Sequence, residues 1–72
     1  MFTCYQEVKD FVAKNNHSRY YKNADQELVE VVRRASYYEV RTYHNNDRVN
    51  HKVFWKDGTT EEFWTQGNAD AE

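Results

Sequence analysis

The side chains with chemistry to offer are three histidines, one cysteine, two adjacent glutamates and a strip of aromatics mixed with bases. His17, His44, His51 and Cys4 are metal-ligand types. No C-x-x-C or H-x3-H spacing joins them into a closed site, so no metal and no cofactor is expected. Cys4 falls in the first turn of an expected helix, where the thiolate is favoured. Nothing around it marks an oxyanion hole or a substrate pocket. Glu61 and Glu62 are neighbours on an expected strand and point to opposite faces, so they cannot act as an acid–base pair. Two glycines are too few for a phosphate-cradling loop. These patterns point away from an enzyme.

The aromatic–basic strip is the stronger signal. Tyr37, Arg41, Tyr43, Lys52, Phe54 and Trp64 are expected to share one sheet face and contact a partner. Tyr, Trp and Arg dominate protein-binding hot spots. The same residue types can stack bases and hold phosphates. A net charge of −2 and the acids Glu39, Glu61 and Glu62 weigh against phosphate binding. The expected function is a small non-catalytic binder acting as inhibitor, adaptor or regulator of a larger protein. A nucleic-acid-binding module is the alternative, and pairing into a homodimer is a further option. The competing structural reading buries Phe54 and Trp64 under a helix.

These residues need elements to position them. The expected fold class is α+β, with two N-terminal helices packed on a three-stranded antiparallel meander. The first helix spans about 4–14. Thr3 and Gln6 suit a capping box, Tyr5, Val8, Phe11 and Val12 form a stripe, and Asn15-Asn16 suit a left-handed stop. The second spans about 24–35. Asn23 is its cap, Leu28, Val31, Val32 and Ala35 its stripe, and Arg33 and Arg34 answer the helix dipole.

From Tyr37 onward the apolar period is two, giving strands over about 37–45, 48–56 and 59–65. A two-residue loop at Asn46-Asp47 sets Val40 opposite Val53, Tyr38 opposite Trp55 and His44 opposite Val49. A three-residue loop, Lys56-Asp57-Gly58, sets Lys52 opposite Glu62. The face with Val40, Val53 and Phe63 is the expected core. The last strand is a second candidate site if its outer edge stays unpaired.

The chain of 72 residues is one domain, with 68–72 as a frayed acidic end. Aromatics make up 17 % and can replace a disulfide staple as a source of buried area. A single cysteine, no apolar leader after Met1 and no apolar run of ~20 residues fit a cytoplasmic protein away from membranes. The size suits a small reading frame of phage or mobile-element type. Charge is uneven: residues 33–56 carry a net +4 and residues 57–72 a net −5. That makes a basic belt followed by an acidic end.

Overall fold

The computed structural model describes residues 2–15, 19–44 and 47–66. His17, Asn16, Asn46 and the expected frayed tail at 68–72 lie outside the described residues.

Helix α1 runs Tyr5–Lys14. Glu7, rather than Gln6, closes its start, accepting from the Thr3 N–H at 2.8 Å and from the Thr3 hydroxyl at 3.1 Å. Gln6 instead donates to Asp10 one turn on. At the other end Asn15 stops the helix without the left-handed geometry, with both its N–H and its side-chain amide donating to the Phe11 carbonyl. The expected stripe holds: Val8 is fully buried, and Tyr5, Phe11 and Val12 pack beside it.

The second helix does not form. Residues 24–26 lie in a turn, and Leu28–Arg33 is a strand. The fold is mostly β: five antiparallel strands in the order β1 (Tyr20–Lys22), β2 (Leu28–Arg33), β3 (Tyr37–His44), β4 (Arg48–Trp55) and β5 (Thr60–Gln66). The segment Leu-Val-Glu-Val-Val-Arg fits both periods when short. Its three valines lose side-chain freedom in a helix and suit a pleat. Asn23 does cap backbone amides with its side-chain oxygen, as expected. It caps Asp25 and Glu27 at 2.9 and 3.0 Å inside a hairpin turn, not at a helix start. The local signal was a turn signal that two element types share.

The β4–β5 register matches the expectation, with Lys52 opposite Glu62. Gly58 sits at φ 99° and its N–H donates to the Trp55 carbonyl, as a three-residue hairpin loop requires. The β3–β4 register is one residue off. His44 pairs with Arg48, leaving three residues between them, so Tyr37 opposes Trp55 and Val40 opposes Lys52. A one-residue slip moves every side chain of a strand to the other face. The expected core face is therefore split.

Helix α1 lies on the face carrying Tyr21, Val29, Val31, Tyr38, Val40 and Phe54, and with Val8 these form the core. Tyr5 meets Tyr38 at 5.2 Å between ring centroids, and Phe11 meets Tyr21 at 5.2 Å. The opposite face carries no helix among the described residues, yet Val32, Val49, Val53 and Glu39 on it are buried. No helix among the described residues is long and apolar enough to cross a membrane.

Candidate functional site

The register divides the six expected contact residues between the two faces. Tyr37, Arg41 and Tyr43 lie on the helix-free face; Lys52, Phe54 and Trp64 lie on the helix-bearing one. Phe54 is 1 % exposed and belongs to the core, so it cannot contact a partner. Arg41 is held by Glu39 at 3.0 Å and by Glu30 at 3.6 Å, and the Tyr43 hydroxyl donates to Glu30 at 2.9 Å. Tyr37 packs on Trp55 with centroids 4.6 Å apart. Only Trp64 is both large and open, at 47 %, with the Arg48 guanidinium 4.2 Å from its ring centroid.

The helix-free face is organised by a carboxylate. Glu39 accepts from Arg41 and lies 2.6 Å from His51 Nδ1. Burial raises the Glu39 carboxyl's pKa, but the hydrogen bonds from Arg41 and His51 outweigh it and hold the group below its ordinary value. The same contact with Glu39 raises the Arg41 guanidinium. Burial, then the bond to Glu30, raises the Tyr43 phenol.

The other ring nitrogen of His51 lies 2.7 Å from the Thr65 hydroxyl. Hydroxyl, imidazole and carboxylate thus stand in the order of a hydrolase relay. Sequence spacing could not show this, because the three residues come from three strands. Two features argue against catalysis. Arg41 already occupies both Glu39 oxygens, and His51 is stacked flat under Phe63 at 4.6 Å. Both clefts of the molecule are lined by helix-face residues and not by Thr65. The line pairs the buried Glu39 carboxylate with the His51 ring and ends on the exposed Thr65 hydroxyl.

The first cleft, of about 400 Å³, has Phe2, Val29, Val40 and Phe54 as its floor and Lys52 and Glu62 on its rim. The cleft is open to solvent along one side and is not an enclosed cavity. The second, of about 610 Å³, lies between α1 and the end of β2 and is lined by Tyr5, Lys9, Arg19, Arg33, Arg34, Ala35 and Tyr38.

The outer edge of the sheet is the remaining surface. Among the described residues β5 pairs only with β4, and all seven of its residues are exposed. Phe63 and Trp64 project from it to opposite faces, 45 % and 47 % exposed. Among the described residues no group of three or more His, Cys, Asp or Glu is placed to hold a metal ion. Compared with known protein families, curated proteins and solved structures, the chain matches none.

Proposed function

We propose that the chain is a non-catalytic protein-binding module, an inhibitor, adaptor or regulator, that takes an extended segment of a larger protein onto the edge of β5. The observation that carries this reading is a seven-residue edge strand, exposed along its whole length, with Phe63 and Trp64 open on its two sides. An added strand gains main-chain hydrogen bonds from such an edge and side-chain specificity from alternate positions. Glu61 and Glu62 stand on opposite faces, as do Phe63 and Trp64, and β5 has no Lys or Arg, which favours a segment that presents a base and an apolar residue on each face, as adjacent Lys-Lys and Val-Val pairs do. The β5 edge is favoured over the aromatic–basic strip because the register divides that strip between two faces, with Phe54 in the core and Arg41 paired with carboxylates.

The hydrogen-bond pattern supplies the test. Trp55 N–H donates to the Thr59 carbonyl at 2.8 Å. Alternation along an antiparallel ladder then turns the amides of Glu62 and Trp64 away from β4. A peptide of repeating Lys-Lys-Val-Val should slow hydrogen exchange at those two amides. Glu62→Pro removes one outward donor at an edge position that tolerates proline, and should abolish the protection while circular dichroism stays unchanged. A peptide that binds the folded variant as well as the parent overturns the proposal.

A further inference from the structure

Lys9, Arg19, Arg33 and Arg34 are four of the chain's ten Lys and Arg residues, and they line one groove. Among the described residues no Asp or Glu lines it. Among the described residues none of the four is in an ion pair, whereas Arg41 has two carboxylate partners. Like charges gathered in a concave site repel one another and focus a field that attracts an anion. The dipole of a second helix would explain Arg33 and Arg34, but that helix does not exist and Leu28–Arg33 is a strand.

The groove is built from rigid parts. Lys9 stands one turn beyond Tyr5 on α1, so both face the same way. Tyr5 is packed on Tyr38, which fixes the helix against the sheet. Arg33 is opposite Tyr38 on the helix-bearing face. The Arg19 carbonyl accepts from the Val31 N–H at 2.8 Å, which places Arg19 beside the same stretch of β2. Arg34 is tied at the strand's end, its N–H donating to the Tyr37 carbonyl at 2.9 Å.

From this geometry we infer that the groove binds a multiply charged phosphate group of nucleotide size. Three guanidiniums offer paired donors that match phosphate oxygens, and the lysine adds a point charge. A space of about 610 Å³ exceeds what one phosphate fills and falls in the range of small-molecule sites. A long polyanion is disfavoured, because an acid stands close by: the Lys56 N–H donates to the Ser36 carbonyl at 3.0 Å, which sets Asp57 at the same end of the sheet as the groove. This site is separate from the β5 edge, so loss of either proposal leaves the other standing.

The test measures binding of inorganic triphosphate, ATP, hexathymidylate and hexaglutamate by calorimetry, at low and at physiological salt. The two triphosphates should bind at low salt, and their affinity should fall at higher salt as exposed charges are screened. Hexaglutamate should bind at least about ten-fold more weakly, because carboxylates lack the clustered oxygens of a triphosphate. ATP binding more tightly than inorganic triphosphate assigns the site to a nucleotide; equal affinities assign it to the phosphates alone; hexathymidylate binding most tightly assigns it to an oligonucleotide end. Arg33→Glu should cost at least about ten-fold, against less than about two-fold for Lys22→Glu, which changes the net charge equally outside the groove. No phosphate binding at low salt, hexaglutamate binding as tightly as triphosphate, or equal losses in the two variants would each overturn the inference.

Discussion

The two faces of the sheet are buried by different means. On the helix-bearing face, Val8, Val29, Val31, Val40 and Phe54 interlock as an apolar core under α1. On the other face, Val32, Val49 and Val53 are also buried, with no helix above them among the described residues. Long side chains share that face: Arg41, Tyr43, His51 and Trp55 stand on it with the valines, and Glu39 holds Arg41 and His51 in place. One ten-residue helix cannot cover two faces of a five-stranded sheet. The chain covers the second with a tied polar layer, which is less complete: Trp55 Nε1 is buried with no acceptor among the described residues.

If the faces differ in this way, the largest effect lies under the helix. Phe54→Ala removes the largest fully buried side chain and leaves a cavity between α1 and the sheet. The expected loss is about 3–5 kcal/mol, most of what a domain this small has to lose. A urea titration reads it. A loss below about 1 kcal/mol would mean that the cleft beside Phe54 lets the core collapse, and that the faces are equally soft.

The second effect belongs to the polar layer. Glu39→Gln keeps the shape and removes the charge that Arg41 and His51 share. The expected loss at neutral pH is about 1–3 kcal/mol. The pH dependence has a sign. The folded-state pKa of Glu39 is depressed, so its contribution is present above the unfolded carboxylate value of about 4.3 and is lost as pH falls through the lower folded value. The parent should therefore lose stability in acid more steeply than Glu39→Gln. Parallel acid profiles by urea midpoint would show that the network contributes no charge-dependent stability.

The polar layer was also the part of the molecule least legible in the sequence. Helix α1 could be read because its apolar residues recur over ten positions. β4 and β5 could be read because Asp57-Gly58 announces their loop, and their register followed. The β2 segment is six residues with apolar residues at four places, which suits a pleat or a helix until its neighbours are known. The β3–β4 loop contains no glycine, and one residue of loop length decided which face every β4 and β5 side chain took relative to the core residues of β3. The Glu39–His51–Thr65 line depends on the β3–β4 register, and the basic groove depends on β2 being a strand.

The smallest effect compares the two outer hairpins, which have the same construction. In one, Asn23 N–H donates to the Glu27 carbonyl and Gln26 N–H to the Asn23 carbonyl. In the other, Trp55 and Thr59 make the first bond and Gly58 and Trp55 the second. Both loops hold three residues, and the third has positive φ: 64° at Gln26 and 99° at Gly58. Only the second uses the residue that adopts this geometry without strain. The strained copy lies at the end of the sheet where Phe2, Phe11 and Tyr21 are packed together, so tertiary contacts can hold it. The unstrained copy joins β4 to the free edge. Gly58→Ala meets no atom within 4 Å, so its cost is backbone strain alone, about 1 kcal/mol. Gln26→Gly should do the reverse, relieving strain but adding chain entropy, for a net gain below about 1 kcal/mol. Opposite signs in thermal midpoints would show two equivalent turns of which only one is written in glycine. A loss for Gln26→Gly would show that the Gln26 side chain has a role in the covered hairpin beyond its backbone geometry.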